Sequence, residues 1–245
     1  MKAFVICFMK ILITLVLTLT SLIALSQQNP VVIELFTSQG CSSCPAADKN
    51  LAEIIEDAEK NGQPVYGLSF HVDYWNYIGW KDPYSKPEYT ARQHQYAQKL
   101  NSESVYTPQM IVNGEIEFVG SNKKASSEAV AQALTKEMPY HVSLNNIQKR
   151  NGKVFLSYSL DNIPSDATVN VALVERSVEN DVSRGENSGR KLAHKNVVRS
   201  FVSAQAKKVG DLQIDLPSGL SASSIIVFIQ DRQFRITGAA TKNIN

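Results

Sequence analysis

The sequence predicts an α/β unit followed by an all-β unit, and two contrasting patterns carry this prediction. Between Val31 and Phe70, a strand-like run, a helix-like run and a second strand-like run follow one another, as in a parallel βαβ unit. Beyond Pro139, alternating runs are separated by turn-forming residues, without helical periodicity. We therefore expect a central mixed sheet flanked by helices, followed by an all-β sandwich-like unit.

The βαβ unit is predicted element by element. Val31 to Phe36 is an apolar, β-branched run typical of a buried strand. Pro45 suits a first helical turn, and apolar residues then recur at helical spacing until Asn61-Gly62. Pro64 to Phe70 is a second buried strand. Because open α/β sheets place their sites at the carboxyl ends of strands, a site is expected directly after the first strand.

The remaining elements give the domain boundaries. An aromatic loop at 71–84 and a more helical stretch at 87–100 form an insertion at about 71–100. Short strands then flank the hairpin turn Asn113-Gly114, and a last helix ends at about Glu137. The sequence thus predicts a first domain at 27–138 and a β-rich domain at 139–245.

The first 26 residues have the parts of a secretory signal peptide. Lys2 and Lys10 precede an apolar run that ends in small residues, and this run is short for a membrane span. We expect cleavage after Ser26 and a secreted or periplasmic protein, with an uncleaved anchor as the alternative. Cys7 lies ahead of the apolar run, so no lipid anchor is expected.

The charge balance argues against nucleic acid as a partner. The chain has 25 Lys and Arg residues against 23 Asp and Glu residues, a formal net charge of +2. Nucleic-acid-binding proteins carry a strongly basic surface, which this balance does not indicate.

The pair Cys41 and Cys44, separated by two serines at a helix start, is the centre of the predicted site. A disulfide that closes so short a loop removes little entropy from the unfolded chain and is a weak staple. The helix N-terminus favours a thiolate instead. We expect Cys41 to be an exposed nucleophile and Cys44 a more covered resolving thiol. Metal binding and an inert local disulfide are the alternatives.

Two further elements complete the predicted site. Glu34 is polar in an otherwise apolar strand, and a carboxylate buried there can relay a proton to Cys44 through water. Its alternative role is a contact with a polar face or a loop amide. Pro108 directly precedes a strand, where a cis bond would lay the Thr107 backbone beside the cysteines. An ordinary trans turn proline is the alternative.

The Glu34 strand, the Cys41-x-x-Cys44 helix start and Thr107-Pro108, in this order, resemble the thioredoxin superfamily. The resemblance implies a thioredoxin-like fold, a cis-Pro108 against the disulfide and Glu34 near the family's buried acid. It also implies Cys41 as nucleophile and Cys44 as resolving cysteine. Glu34 lies one residue farther from the motif than the acid of thioredoxin.

A narrower resemblance covers nearly the whole mature chain. It looks like a family of secreted bacterial proteins known only as a domain of unknown function, on segments 34–45, 71–75, 79–82, 106–109 and 184–187. This resemblance implies a thioredoxin-like fold with a β-rich tail, and it brings no established substrate.

Residues outside the motif are candidates for supporting roles. His71 and Asp73 end the second strand, where His71 can lower the pKa of Cys41 or bind Cu(I) or zinc with both thiolates; a plain hydrogen-bonded histidine is the default. Trp75 and Trp80 either bind an unfolded polypeptide or pack within their own loop.

The segment 184–190 is charged and glycine-flanked. Glu186 and Arg190 can pin this loop or reach toward the cysteine face, and a solvated hairpin connection is the default interpretation.

These patterns favour a secreted or periplasmic thiol-disulfide oxidoreductase. Its partner would be a protein thiol or disulfide docked along Thr107-Pro108, and a membrane protein could exchange electrons with it. It would need no cofactor beyond a redox-active Cys41–Cys44 disulfide, and no metal. The alternatives are a Cu(I) or zinc carrier using both cysteines and His71, and an adhesion protein that binds through its β domain.

Overall fold

The structure is a computed structural model that describes residues 29–162, 166–220 and 222–244. The predicted signal peptide, with Cys7, lies outside the described residues. The strands and α-helices of the structure, in chain order, are β1 (Val31–Thr37), α1 (Cys44–Lys60), β2 (Val65–His71), α2 (Pro87–Leu100), β3 (Gln109–Val112), β4 (Ile116–Val119), α3 (Lys123–Thr135), β5 (Val142–Arg150), β6 (Lys153–Leu160), β7 (Thr168–Asp181), β8 (Lys191–Gln205), β9 (Val209–Asp215), β10 (Ser223–Gln230) and β11 (Ile236–Ile244). Within these ranges, no helix has the length and apolar character needed to cross a membrane.

One mixed sheet runs through both parts of the chain. Its eight strands have the order β11-β10-β7-β8-β2-β1-β3-β4. Strand β1 is parallel to β2 and antiparallel to β3. Strand β8 joins β2 in parallel at the pair Ser69 and Val197. The expected mixed sheet with flanking helices is therefore confirmed, and it crosses the boundary predicted at 138, so the division into two domains stays a prediction.

A second, three-stranded sheet packs on the C-terminal end of this sheet. Its order is β5-β6-β9. Apolar side chains from both layers form one buried cluster, which includes Val154, Leu156, Val171, Ile225 and Val227. This sheet-on-sheet packing is a small sandwich, one layer of which belongs to the mixed sheet.

The two faces of the mixed sheet meet different helices. Because side chains alternate along a strand, Ile33 and Leu35 of β1 pack against α1 and α3, whereas Val32 and Phe36 pack on the side of α2. We call these sides the α1 face and the α2 face.

Helix α1 is fixed to its face by close packing. A Cβ atom at Gly67 would lie only 2.6 Å from Ile55 Cδ1, so the glycine lets the helix approach β2. Leu51 and Ile55 are buried there, and each such side chain contributes about 1.5–3 kcal/mol to folding. This packing holds the first turn of α1 at the carboxyl end of β1.

Candidate functional site

A disulfide joins the two cysteines at the start of α1. Cys41 follows β1, Cys44 is the first residue of α1, and their Cα atoms lie 5.4 Å apart. Pro45 occupies the first turn of the helix. The pair thus occupies the carboxyl edge of the sheet, where α/β folds commonly place their sites.

Both cysteines are buried. Cys41 is 1% exposed and Cys44 is fully buried, whereas Ser42 and Ser43 between them are exposed. The expectation of an exposed Cys41 is therefore wrong in this disulfide form.

The cover of the motif includes the segment 182–190 between β7 and β8, which we call the cap segment. Asn187 is fully buried, and its Nδ2 donates to the carbonyl oxygens of Gln39 and Cys41, both at 2.9 Å. Arg190 Nη1 donates to Asn187 Oδ1 at 2.7 Å and orients this amide. Most of this segment is exposed, as expected of a connection between neighbouring strands, but Asn187 also reaches the cysteine face and satisfies two carbonyl groups there.

Glu186 of the cap segment binds the start of α1. Its Oε2 accepts the Ser42 backbone N–H at 2.9 Å. Hydrogen bonds from the Ser42 side chain and backbone lower the pKa of Glu186, so its carboxylate is charged. Glu186 thus places a negative charge beside the backbone N–H groups that precede α1.

The Thr107–Pro108 peptide bond is cis. A Cβ atom at Gly120 would lie 3.0 Å from Ala47 Cβ and 3.5 Å from Pro108 Cβ. Pro108 therefore lies beside the first turn of α1, close to the disulfide-bonded loop.

The two tryptophans brace the loop that carries the motif. Trp75 Nε1 donates to Thr107 Oγ1 at 2.7 Å, and a Cβ atom at Gly40 would lie 3.1 Å from Trp75 Cβ. Trp80 Nε1 donates to Gln39 Oε1 at 3.2 Å. Both indole N–H groups are thus used within the chain.

Glu34 belongs to a different cluster from the cysteines. Its Oε2 accepts from Arg92 Nε at 2.5 Å, and its Oε1 accepts from Arg92 Nη2 at 2.8 Å and from the Tyr96 hydroxyl. These partners come from α2, whereas Cys44 belongs to α1 on the opposite face. The predicted proton relay from Glu34 to Cys44 is therefore wrong. The one-residue offset from the thioredoxin register places the Glu34 side chain on the α2 face, whereas the next residue, Leu35, faces α1.

Burial reinforces this ion cluster. The Arg92 guanidinium is also surrounded by aromatic rings, with its Cζ 4.8 Å from the Phe201 ring centroid and 5.2 Å from that of Tyr96. Burial, followed by the nearby Glu34 carboxylate, raises the pKa of Tyr96 well above its usual range. Tyr96 therefore stays a neutral hydrogen-bond donor to Glu34.

The α1 face carries a second set of buried polar side chains, beneath the disulfide. Asp48 follows Cys44 by one helical turn and is 4% exposed. Its Oδ2 lies 3.4 Å from His194 Nδ1, and the His194 ring centroid lies 4.8 Å from that of His71. Thr37 is paired with His71 across the strands, and Ser69 precedes His71 by two residues. We call Thr37, Asp48, Ser69, His71 and His194 the α1-face polar cluster.

Neighbouring hydrogen bonds indicate which tautomer neutral His194 adopts. An indole N–H can only donate, so Gln39 presents its carbonyl oxygen to Trp80 and its amide nitrogen to His194 Nε2, at 3.2 Å. The amide donates, so Nε2 accepts and neutral His194 carries its proton on Nδ1, toward Asp48. Burial lowers the pKa of His194, but the carboxylates of Asp48 and Asp82 raise it by a larger amount, so the net shift is upward.

A carboxylate from the aromatic loop at 71–84 positions His71. Its Nδ1 lies 2.7 Å from Asp82 Oδ2, which also accepts the Gln39 backbone N–H at 2.8 Å. Burial raises the pKa of Asp82, but His71 and the backbone N–H groups of Gln39 and Tyr84 lower it more, so the net shift is downward. Asp82 is thus a charged acceptor that positions His71 and the motif loop.

The remaining predicted residues do not assemble a metal site. Asp73 accepts from Thr90 Oγ1 at 2.6 Å, and His71 is paired with Asp82. Among residues 29–162, 166–220 and 222–244, no group of three or more His, Cys, Asp and Glu side chains is arranged to hold a metal ion. The structure therefore gives no support to the carrier alternative.

Sequence reasoning missed the residues that contact the motif from far along the chain. Asn187 and His194 lie on or beside β8, and Gln39 lies just before the cysteines. Asp48 offered one signal, since a polar residue four positions after Cys44 falls on the buried face of an amphipathic helix. The resemblance segments 34–45 and 184–187 include Gln39 and Asn187 without assigning them these contacts, and no pattern pointed to His194.

Comparison with known proteins places this arrangement in a family. Residues 32–230 match the family described as protein of unknown function (DUF1223). The chain belongs to this family. It is also 28% identical over 110 residues to a thioredoxin of Methanocaldococcus jannaschii, a match that covers 45% of this chain and 99% of that protein. Both predicted resemblances are thus confirmed.

One solved structure shares most of this fold. The crystal structure of an Agrobacterium tumefaciens protein is 28% identical to this DUF1223 protein, with a TM-score of 0.64 over 88% of this chain and 95% of that chain. A domain of the outer membrane lipoprotein Omp28 from Porphyromonas gingivalis is 18% identical, with a TM-score of 0.27 over 43% of this chain and 95% of that chain. The first likeness extends through both sheets of the fold.

Proposed function

We propose that this protein is a thiol-disulfide oxidoreductase that acts on protein thiols. The observation that carries the proposal is a Cys41–Cys44 disulfide at a helix start, with cis-Pro108 near the first turn of the same helix, in a chain similar to a thioredoxin. Two cysteines in this spacing support exchange because the second can displace a mixed disulfide formed at the first.

The proposed exchange balances as two linked displacements. In the oxidising direction, a substrate thiolate attacks Cys41 Sγ, the Cys41–Cys44 bond breaks, and Cys44 leaves as a thiolate. A second substrate thiolate then attacks the mixed disulfide, so the substrate is oxidised to a disulfide and the protein is reduced by two electrons. The reducing direction reverses both steps. We propose that the Thr107-Pro108 backbone docks the substrate chain and that a membrane protein resets the redox state.

Access to Cys41 requires displacement of its cover. The cap segment is held by the Asn187 amide and the Glu186 carboxylate, and Glu186 itself is exposed. A substrate chain that binds beside Thr107 would replace these contacts with its own. The oxidising compartment expected from the signal peptide suits such a protein, and N-terminal sequencing of the mature chain tests the cleavage after Ser26.

Trapping of covalent adducts tests the proposal. Cys44→Ser is expected to accumulate mixed disulfides through Cys41, because the resolving thiol is gone, and Cys41→Ser is expected to accumulate none. Mass spectrometry of the adducts after non-reducing separation identifies the substrates. Absence of adducts in both variants, under oxidising and reducing challenge, would contradict the proposed activity.

The burial of Cys41 favours a second candidate, an inert local disulfide. Such a disulfide would stay oxidised under a thioredoxin-strength reductant in the folded protein, and its removal would change only stability. Reduction of the native protein followed by reoxidation, measured by thiol alkylation and mass, distinguishes the two. Rapid, reversible cycling supports the oxidoreductase, and resistance to reduction supports the inert disulfide.

A further inference from the structure

Unpartnered polar atoms are concentrated beneath the disulfide. In the described part of the chain, the buried side-chain nitrogen and oxygen atoms without a hydrogen-bond partner all belong to the α1-face polar cluster: Thr37 Oγ1, both carboxylate oxygens of Asp48, Ser69 Oγ, His71 Nε2 and His194 Nδ1. An unsatisfied buried polar group costs about 1–3 kcal/mol. A fold that retains several of them at one place points to a role other than stability.

Asp48 is the member of this cluster nearest to Cys44 along α1. Residues four apart on a helix lie on the same face, with about 5–6 Å between their Cβ atoms. Both residues are buried, Cys44 fully and Asp48 at 4% exposure. Asp48 and Cys44 therefore share one buried face of α1, a spacing that suits proton transfer between them directly or through one bridging water.

His194 leaves one carboxylate oxygen of Asp48 available. The Gln39 amide donates to His194 Nε2, so the Nδ1–H of the neutral ring points toward Asp48 Oδ2, 3.4 Å away. Asp48 Oδ1 has no partner within the described residues. One oxygen thus faces a donor that favours the carboxylate, and the other remains free to accept a proton.

A cavity connects this carboxylate with the surface. Its volume is about 470 Å³, and both Asp48 and His194 line it, beside Pro45. Its lining carries charged side chains of both signs: Lys49, Glu56, Glu179, Arg190, Lys191 and Lys195. A proton accepted by Asp48 therefore has a polar exit that does not pass the Cys41 side of the motif.

We propose that Asp48, positioned by His194, is the proton acceptor for Cys44 when this cysteine resolves a mixed disulfide. The inference rests on the proposed exchange activity and assigns its proton to a residue on the opposite face from Glu34. The Cys44 thiol gives its proton to Asp48, and the Cys44 thiolate attacks Cys41 Sγ. The Cys41–substrate bond then breaks, the substrate leaves as a thiolate, and the proton leaves Asp48 through the cavity.

Neighbouring groups set the field around this pair. Side chains outside the cluster also face it, from the aromatic loop at 71–84 and from the loop that carries the cysteines: Asp82, Tyr84 and Gln39. Asp82 is charged and hydrogen-bonded to His71, and its negative charge contributes to the raised pKa of His194. The His194 Nδ1–H, which points toward Asp48 Oδ2, favours the carboxylate form that can accept the proton of Cys44.

A two-phase reaction with dithiobis(nitrobenzoate) tests the relay on the full-length reduced protein. Attack by Cys41 releases one nitrothiolate, and attack by Cys44 on the resulting mixed disulfide releases the second. Asp48→Asn is expected to leave the first phase unchanged and to slow the second at least about tenfold near neutral pH. This deficit should shrink as the pH approaches about 8.5, where a free thiol ionises by itself.

Glu56→Gln provides the matched control. Glu56 is a half-exposed carboxylate on the same helix and at the same cavity, paired with Lys195 at 3.2 Å. Both phases are expected to keep wild-type rates in this variant. A second phase of wild-type rate in Asp48→Asn, or equal slowing in Glu56→Gln, would overturn the relay.

Two further measurements separate this inference from folding and from the activity itself. His194→Gln should move the pH midpoint of the second phase upward, because Asp48 loses a donor that favours its carboxylate; an unchanged midpoint contradicts the relay. In Cys41→Ser, alkylation of Cys44 should show a lower thiol pKa when Asp48→Asn is added, since a negative neighbour is removed. If that shift is absent, the relay is contradicted and the proposed function still stands. If the wild-type protein shows no first phase, the proposed function itself is contradicted.

Discussion

The two faces of the mixed sheet each bury a carboxylate, and the two carboxylates have opposite surroundings. On the α2 face, both oxygens of Glu34 accept hydrogen bonds from Arg92, and Tyr96 adds another donor. On the α1 face, both oxygens of Asp48 lack a hydrogen-bond partner in the described chain, and His194 lies at ion-pair distance. A closed cluster fixes packing, whereas an open one retains the capacity to gain or lose a proton.

Burial of an acidic side chain therefore does not by itself identify its role. Glu34 attracted attention because it interrupts an apolar strand, yet its partners make it part of the fold's interior. Asp48 lies in a helix that reads as ordinarily amphipathic, yet it lies beside the disulfide. Both residues are buried, and they differ in their hydrogen-bond partners and in the face of the sheet on which they lie.

The largest expected effect concerns the closed cluster. Glu34→Gln should lower the free energy of unfolding by about 3–5 kcal/mol, because it leaves the buried Arg92 charge without its partner. Chemical denaturation measures this loss. The control is Glu59→Gln, which removes an exposed pair with Arg176 and should cost about 0–1 kcal/mol. A loss as small as the control's would contradict the structural role of Glu34.

The second effect concerns the cap segment, which covers the motif above the α1-face polar cluster. Asn187→Ala removes the two hydrogen bonds to Gln39 and Cys41, worth about 1 kcal/mol each, so reduction of the disulfide by a phosphine should accelerate on the order of tenfold. Mass analysis after thiol alkylation follows the reaction. Ser188→Ala, which removes only a bond to Ser183 within the cap segment, should react at the wild-type rate. Equal rates for all three proteins would mean that the cap does not limit access.

The third effect is a pH dependence on the α1 face. The folded-state pKa of Asp82 is lowered, so its contribution to stability is present above the ordinary value of about 3.9 and is lost as the pH falls through the folded value. Asp82→Asn should melt at a lower temperature near neutral pH and show a flatter decline in acid. Thermal melts across the acid range measure this. The control is Asp57→Asn, which removes an exposed pair with Lys60 and should keep the wild-type pH profile. A wild-type profile in Asp82→Asn would mean that Asp82 is not the responsible group.

The smallest effect sharpens the comparison between the two acids. Asp48→Asn should change the free energy of unfolding by no more than about 1 kcal/mol, or raise it, because it removes a buried charge without hydrogen-bond partners. Denaturation of Asp48→Asn and Glu34→Gln side by side gives the contrast directly. A loss of about 3 kcal/mol or more in Asp48→Asn would place Asp48 among the structural ion pairs instead.

Local elements were largely predictable because their signals are local. The helix predicted at 87–100 has the observed bounds Pro87–Leu100, and α1 ends at Lys60, next to the predicted stop at Asn61-Gly62. Asn113 and Gly114 both have positive φ, as the predicted hairpin turn requires. The join between β2 and β8 could not be predicted, because parallel strands far apart in sequence carry no local mark of their pairing.

Local patterns along the chain account for the strand and helix periods, the turn residues, and a pair of cysteines at a helix start. Three contacts depend on the folded arrangement instead: Glu34 faces away from Cys44, Asn187 binds the Cys41 carbonyl across 146 residues, and His194 lies beside Asp48. The physical reason is that periodicity is written in neighbouring residues. Which buried polar groups meet depends instead on strand register and on the order of strands in the sheet.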